Sequence, residues 1–189
     1  MEDLINYLLK FGHLNEDQCA LILAKAQHRM VSKGDFFSEV GKVARNIGYV
    51  TQGVFRICYY NKAGDSFTRY FVYENRFVAD TISFIDELPS AEYIEAVTDC
   101  KLLVFSKKDF MELAATIPGW SDIFSKITSY VLENKMRASS NMLVQNAQTR
   151  YLHFLAHYPG LANRIPQLML ASYLGITATS LSRIRKTIS

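Results

Sequence analysis

The chain has 189 residues, of which 49% are hydrophobic and 21% are charged, a composition typical of one or two globular domains. No apolar run approaches the roughly eighteen residues that a membrane-spanning helix needs. The segment from Met1 to Ile5 is acidic where a secretory signal would be basic. These features predict a cytoplasmic protein rather than a membrane or secreted one.

The charge is distributed unevenly along the chain. The last acidic residue is Glu133, and residues 134–189 carry seven basic residues and no carboxylate, a net charge of +7. The preceding 133 residues hold all 18 acidic residues and 14 of the 21 basic ones, a net charge of −4. A basic segment on an acidic body is the pattern expected of a module that binds a polyanion.

Metal and cofactor sites are not indicated. Cys19, Cys58 and Cys100 are far apart in the sequence, so we expect three reduced cysteines that are mostly buried. His153 and His157 lie four residues apart on a predicted helix, but a structural or catalytic metal needs three or four ligands. The sequence therefore predicts no metal and no cofactor, and it does not identify a small-molecule effector.

Two helices and a strand-rich region are predicted before residue 106. Residues 1–27 place leucine and isoleucine at helical spacing, and Asn15 can cap the second of two helices. Residues 28–105 are rich in aromatic and β-branched side chains, which indicates an antiparallel sandwich or barrel. The clearest strands are predicted at residues 48–50, 54–60, 67–73, 93–97 and 100–105.

The turns between these strands suggest how some of them pair. Residues 61–65 form a hairpin loop in which Gly64 can adopt a positive φ. Thr98 and Asp99 are expected to join the last two strands into one more pair. Ser106 then caps a helix, with Asp109 three residues further on.

One long helix is predicted from residue 120 to about 145, after a break at residues 117–119. Two interpretations are open: the helix packs on its own domain, or it forms a dimer interface. Polar residues dilute its apolar side, so a coiled coil is not established. The apolar side consists of Ile123, Ile127, Tyr130, Val131, Ala138 and Met142.

The region from residue 165 has the pattern of a helix-turn-helix. Pro166 suits the first turn of a helix, Gly175 suits the tight turn that follows, and Thr177 can cap the second helix. Two short helices that cross steeply need a small residue where they touch, and Ala171 is placed there. The shared core is expected to comprise Leu170, Leu174, Ile176, Leu181 and Ile184.

In such a motif the second helix enters the major groove of DNA with its N-terminus first. Its outward residues would be Ala178, Thr179, Ser182, Arg183 and Lys186. Arg183 is the best candidate for a bidentate contact to guanine, with a phosphate contact as its alternative role. Phosphate contacts, which fix register rather than sequence, are expected from Thr177, Ser180, Arg185 and Lys186.

With this order of elements, the chain resembles the Crp/Fnr family of bacterial regulators, most of all its Bacteroidetes-type members. The likeness is strongest at residues 165–166, 171–177 and 180–185. It implies an α+β fold: a jelly-roll-like antiparallel β-roll (a double-stranded β-helix) with flanking helices, a long dimerisation helix and a winged-helix-like helix-turn-helix. The corresponding domains are 1–118 for a sensor similar to cyclic-nucleotide-binding domains, 119–146 for the dimerisation helix and 147–189 for DNA binding.

The resemblance also implies partners. A homodimer formed along the long helix would place two recognition helices in successive major grooves, about 34 Å apart, on a near-palindromic double-stranded site. RNA polymerase is a further candidate partner. Many relatives carry Glu at the position of Thr179, so the preferred DNA sequence is expected to differ.

The predicted sensor departs from the family's cyclic-nucleotide pattern. Relatives that bind cAMP use a Glu for the ribose and an Arg for the cyclic phosphate. Here Asp80 could replace the Glu, but Ser90 stands where the Arg would be and Glu92 disfavours an anion. Arg69 and Arg76 are the candidates to supply the missing charge. The candidate ligand residues are Ala79, Asp80, Thr81, Ser90 and Ala91.

The leading hypothesis is therefore a dimeric, sequence-specific transcription regulator whose sensor is not expected to bind cAMP in the usual way. The alternative is a ligand-binding or signalling module whose helix-turn-helix is not used for DNA. An enzyme is not expected, because no nucleophile elbow, phosphate-binding loop or metal cluster accompanies the acidic residues, and no catalytic residue is proposed.

Overall fold

A computed structural model describes residues 1–188, apart from the side chain of Asn141. Ser189, the last residue of the predicted DNA-binding domain, lies outside the described residues. The chain begins with helices α1 (Glu2–Leu8) and α2 (Glu16–Lys25). As predicted, Asn15 caps α2: its side chain accepts a hydrogen bond from the Gln18 backbone, and the Gln18 side chain accepts one from Asn15 N–H in return.

Eight strands follow, in two four-stranded antiparallel sheets. The sheet orders are β1-β8-β3-β6 and β2-β7-β4-β5, which confirms the predicted antiparallel β-roll. The strands are β1 (Gln27–Val31), β2 (Phe36–Ser38), β3 (Asn46–Gln52), β4 (Val54–Tyr60), β5 (Ser66–Tyr73), β6 (Arg76–Val78), β7 (Tyr93–Ala96) and β8 (Cys100–Ser106).

Local pairing was predicted better than pairing between sheets. β4 and β5 form the expected hairpin, and Gly64 in its loop has a φ of 88°. The prediction that β7 pairs with β8 is wrong: β7 pairs with β2 and β4, whereas β8 pairs with β1 and β3. The short link through Thr98 and Asp99 carries the chain from one sheet to the other, as strand alternation in a jelly-roll requires.

Helices flank and follow the sheets. Asp80 caps a short helix that the sequence did not predict, and Ser106 caps the next one as expected, with its hydroxyl accepting from Asp109 N–H. Residues 147–188 contain helical segments only, without a strand that could form the wing of a winged helix. The helices are α3 (Thr81–Asp86), α4 (Lys107–Thr116), α5 (Trp120–Val144), α6 (Ala147–His157), α7 (Gln167–Leu174) and α8 (Ala178–Ile188), with a 3-10 turn at Leu161–Asn163.

Three apolar cores hold these elements together. The first lies between the N-terminal helices, one sheet and the start of α5, and it includes Trp120 and Ile123. The second fills the space between the two sheets, around Phe55 and Ile94. The third joins α6, α7 and α8 to the outer face of the second sheet, where Val54 and Val97 are buried against them.

The apolar side predicted for α5 faces the chain itself. Ile123 and Ile127 are buried in the first core, and Val131 packs against it. Ala138 and Met142 lie where α5 meets the C-terminal helices. Tyr130 on the same side is 54% exposed, so packing of the helix on its own chain is confirmed for the other five residues, and a role of the helix in a dimer stays a prediction. None of the helices in residues 1–188 has the length and hydrophobicity needed to cross a membrane.

Candidate nucleic-acid interface and ligand pocket

Helices α7 and α8 are joined by a tight turn. Gly175 ends α7 in the left-handed conformation, with a φ of 65°, which a residue with a side chain rarely adopts. Leu170, Leu174 and Leu181 are fully buried between the helices, and Ala171 is 2% exposed. The predicted inner faces and turn are thus present, with Ile176 and Ile184 packed around them.

The outward face of α8 carries exposed polar and basic side chains. Thr179, Arg183 and Lys186 are exposed, whereas Ala178 and Ser182 are half-buried beside them. Every charged residue in α8 is basic. This face is free to approach another molecule and would present a positive charge to it.

Two of the predicted phosphate-contacting residues form the start of α8. The Thr177 hydroxyl accepts a hydrogen bond from Ser180 N–H at 3.1 Å and lies 2.9 Å from the Ser180 hydroxyl. A side-chain cap of this kind holds the N-terminal turn of a helix in place. The remaining N–H groups of the turn carry the positive end of the helix dipole, which favours an anion.

Arg185 is directed differently from Arg183. Its Nε donates to the Tyr151 hydroxyl on α6 at 3.1 Å, and its guanidinium lies 5.7 Å from the centre of the Tyr151 ring. Arg185 is half-buried as a result. In this structure it links α8 to α6, apart from the exposed face that carries Arg183.

The helical pair is docked on the outer face and the free edge of β5, the edge strand of the second sheet. The Ser172 hydroxyl on α7 accepts from Thr68 N–H at 2.9 Å and donates to the Ser66 carbonyl at 3.1 Å. Arg164 forms a two-pronged ion pair with Glu74 at 2.6 and 2.9 Å. Although burial opposes ionisation, the bonds from Arg164 and the backbone keep the pKa of Glu74 below its usual value.

A buried ion pair lies on the same outer face. Arg56, which is 3% exposed, donates from Nε and Nη2 to one oxygen of Glu95 at 2.9 and 2.6 Å. The Tyr60 hydroxyl donates to the same oxygen at 2.8 Å, and burial together with Glu95 raises the pKa of Tyr60 to about 12. Arg56 also donates to the hydroxyls of Ser66 and Thr68. The ion pair therefore supports the two residues that Ser172 contacts.

The residues predicted to hold a ligand are joined to one another. Ser90 Oγ donates to one oxygen of Asp80 at 2.6 Å, and the other oxygen accepts from Ser83 N–H at 3.0 Å. Asp80 thus caps α3 with its carboxylate already bonded on both oxygens. Of the other predicted residues, Ala79 packs against the first core, and Thr81 and Ala91 are exposed.

Arg69, but not Arg76, lies with this group of residues. Arg69 donates to Glu92 and to the Tyr59 hydroxyl, both at 3.1 Å. Arg76 instead stacks 3.5 Å from the centre of the Tyr73 ring and donates to the Glu74 carbonyl. Of the two candidate arginines, Arg69 is therefore the one beside the predicted ligand residues, and a carboxylate already pairs with it.

Lys135 is a site residue that sequence reasoning missed. It reaches from α5 to the sheet, where its Nζ lies 3.8 Å from the centre of the Tyr70 ring. Burial lowers the pKa of Lys135 to about 8, with Glu92 opposing the shift and Arg69 adding to it. A lysine on a helix carries no sequence signal for such a contact, because the approach of α5 to β5 depends on the tertiary fold.

The cysteines and histidines show no metal-binding arrangement. Cys58 and Cys100 are buried and Cys19 is half-buried, all three as free thiols. The rings of His153 and His157 stack at 3.8 Å. No group of three or more potential metal ligands occurs within residues 1–188.

Comparison with known proteins identifies the sheet region and the fold. Residues 28–116 match the family model of the cyclic nucleotide-binding domain. No curated protein matches the chain. The region matched covers both sheets and α4.

Solved structures share the fold over most of the chain. The c-di-GMP responsive global regulator CLP of Xanthomonas campestris is 19% identical, with a TM-score of 0.71 over 92% of this chain and 91% of that one. FixK2 from Bradyrhizobium japonicum is 14% identical, with a TM-score of 0.73 over 86% and 84%. The catabolite activator protein of Thermus thermophilus is 19% identical, with a TM-score of 0.59 over 96% and 86%. At these identities the likeness concerns the fold.

Proposed function

We propose that the protein is a dimeric, sequence-specific DNA-binding transcription regulator of the Crp/Fnr type. The observation that carries the proposal is the exposed, acid-free face of α8, held by α7 through the left-handed turn at Gly175. Thr179, Arg183 and Lys186 on this face could enter a major groove while Thr177 and Ser180 lie at the phosphates. The fold shared with a global regulator supports the same assignment.

In this proposal Arg183 reads a base. Its side chain is exposed and lies one turn into α8, where a recognition helix contacts base edges. A bidentate contact to guanine contributes roughly 1–3 kcal/mol of discrimination. Arg185, which already binds Tyr151, would have to leave that contact to reach a phosphate.

Gel-shift titration of genomic fragments from the source organism tests the proposal. We expect one or more fragments to bind well above random DNA, and Arg183→Ala to abolish that preference while leaving most of the weak binding to random DNA. Lys33→Ala, which removes an exposed cation from the turn between β1 and β2, is the matched control. If every fragment bound like random DNA, with the same salt dependence, the proposal would fail and a non-DNA role for α7 and α8 would replace it.

Dimerisation would use a face of α5 that the sequence did not single out. Leu132, Met136 and Leu143 are 55%, 62% and 86% exposed on one side of the helix. Together with the exposed serines 125, 129 and 139, these residues recur at alternating spacings of four and three. This spacing is typical of the side chains along the interface of two closely packed helices. Sedimentation equilibrium should show a dimer, and Leu132→Glu with Met136→Glu should convert it to a monomer. A wild-type monomer at micromolar concentration would contradict this part of the proposal.

The sensor, in this proposal, does not take cAMP in the usual way. A cyclic phosphate needs an unpaired, fixed cation, yet Ser90 bonds to Asp80 and Arg69 already pairs with Glu92. The side chain of Glu92 is only 14% exposed, so an entering anion would meet a carboxylate with little water to screen it. Isothermal titration with cAMP should give no heat of binding at millimolar ligand; saturable binding that Arg69→Gln removes would refute the assignment.

A further inference from the structure

A small cavity lies in the corner where the long helix meets the C-terminal helices. α5 ends at Val144 and α6 begins at Ala147, so residues 145–146 form a short joint between the two helices. The cavity in this joint has a volume of ≈ 20 Å³, about the space that one water molecule or one monatomic ion needs. We call it the hinge cavity; its polar and sulfur-containing lining comes from Met142, Gln145, Arg150, His153, Tyr158 and Tyr173.

Two buried polar atoms in the hinge cavity have no partner. Arg150 Nε and Gln145 Oε1 are both inaccessible to solvent and make no hydrogen bond within the described residues. Buried polar groups in folded proteins are nearly always bonded, so orphaned ones at a cavity indicate an occupant. The occupant must accept a hydrogen bond from the Arg150 guanidinium.

The charge of Arg150 narrows the chemistry of that occupant. Arg150 forms no ion pair with any of the described residues, and within them its guanidinium donates one hydrogen bond, from Nη1 to the Met142 carbonyl at 3.3 Å. Residues 134–189 contain no Asp or Glu that could neutralise it. An anion would form a charge-assisted hydrogen bond with this guanidinium, roughly twice as strong as the bond that a neutral water molecule could form.

The rest of the lining also suits an anion. The Tyr158 and Tyr173 hydroxyls bond to each other, which leaves one O–H for an occupant, and rotation of the Gln145 amide presents N–H in place of oxygen. An oxyanion such as phosphate has several heavy atoms and exceeds a cavity of ≈ 20 Å³. Chloride consists of a single atom and is the abundant anion closest in size to a water molecule.

We propose that the hinge cavity binds a chloride ion between Arg150 and Gln145. The same guanidinium reaches the turn of the helical pair, since a Cβ added at Gly175 would lie 3.5 Å from Arg150 Nη1. The ion therefore fixes the angle between α5 and the unit that carries α8. The site depends on the geometry of the joint and not on the proposed DNA binding.

Crystals of the wild-type protein grown in sodium bromide test the site directly. We expect an anomalous bromide peak within hydrogen-bond distance of Arg150 Nε. Density without anomalous signal at that position would identify water and overturn the proposal, as would an empty cavity. This measurement needs no variant and no DNA, so its outcome is separate from that of the gel shifts.

A solution experiment gives an independent test. The melting temperature of the wild type is compared in sodium chloride and sodium gluconate at equal ionic strength, and we expect it to be higher in chloride by a few degrees. Arg150→Gln should abolish the difference. Arg164→Gln also removes one positive charge from the helical unit, where Arg164 pairs with Glu74. This control variant should retain the difference in melting temperature. An unchanged chloride effect in Arg150→Gln, or its equal loss in Arg164→Gln, would overturn the proposal.

Discussion

Removing one partner of the buried ion pair between Arg56 and Glu95 should destabilise the protein strongly. Glu95 accepts from two nitrogens of Arg56 and from the Tyr60 hydroxyl on a single oxygen. In Glu95→Leu the guanidinium, 3% exposed, keeps only the hydroxyls of Ser66, Thr68 and Tyr60 as partners. An uncompensated buried charge of this kind costs about 3–5 kcal/mol of unfolding free energy.

The double variant Arg56→Met with Glu95→Leu should lose much less unfolding free energy than the two single variants lose in sum. Apolar side chains of similar volume often replace a buried ion pair at little cost, because both desolvation penalties disappear with the charges. We therefore expect the double variant to lie within about 2 kcal/mol of the wild type and to show a large coupling energy.

Urea unfolding followed by circular dichroism and by the fluorescence of Trp120 provides the measurement. Trp120 is the one tryptophan of the chain and is 1% exposed in the first core, so the two signals also show whether the cores unfold together. Arg69→Met is the control, because its ion pair with Glu92 is 57% exposed on the arginine side and should contribute under about 1 kcal/mol. The reasoning would be refuted if each single variant lost no more unfolding free energy than Arg69→Met does. It would also be refuted if the loss in the double variant equalled the sum of the two single losses.

Three further predictions concern individual positions. The pKa of Lys135 is lowered from 10.5 to about 8 by burial, so the unfolded chain holds the proton more tightly and stability should rise between these pH values. Lys135→Met should be more stable than the wild type by about 1 kcal/mol at pH 7, allowing for partial solvent screening, and less so at pH 10; a pH-independent difference in urea midpoint would contradict this. Gly12→Ala should cost about 1–3 kcal/mol of unfolding free energy, because the new Cβ would lie 2.6 Å from Ile123 Cγ1. An unchanged melting temperature would show that the Ile123 side chain moves aside without cost. Gly175→Ala should cost about 1–2 kcal/mol through its φ of 65°, and Gly175→Asn should cost less; equal losses for the two variants would exclude backbone strain as the cause.

The features predicted correctly depend on residues that are near one another in the sequence. The cap at Asn15, the β4–β5 hairpin and the turn at Gly175 each follow from a few consecutive residues whose conformational preferences agree. The partition of β7 and β8 between two sheets depends on which distant strand each one meets. Alternating apolar residues are equally compatible with either sheet, so the short link at Thr98 and Asp99 was misinterpreted as a hairpin.

In the candidate sites, too, the features that depend on nearby residues were predicted, and those that depend on distant residues were not. The exposed face of α8 follows from helical periodicity, since Arg183 points away from the buried Leu181 and the partly buried Ile184. The contact of Lys135 with Tyr70 joins residues 65 positions apart on a helix and a strand. Sequence spacing carries no information about such a contact, and the role of Lys135 emerges only from the packing of α5 on the sheet.

One strand connects the predicted sensor residues to the proposed DNA-binding unit. On one side of β5, Tyr70 packs against the second core and contacts Lys135 of α5. On the other side, Phe71 lies 5.4 Å from the ring of Tyr173 on α7, and Thr68 donates from its backbone to Ser172. Because successive side chains of a strand point to opposite faces, a ligand that displaced Tyr70 would act on a strand whose opposite face is bonded to α7. If the sheets bind an effector, we therefore expect β5 to couple them to α8, besides the long helix.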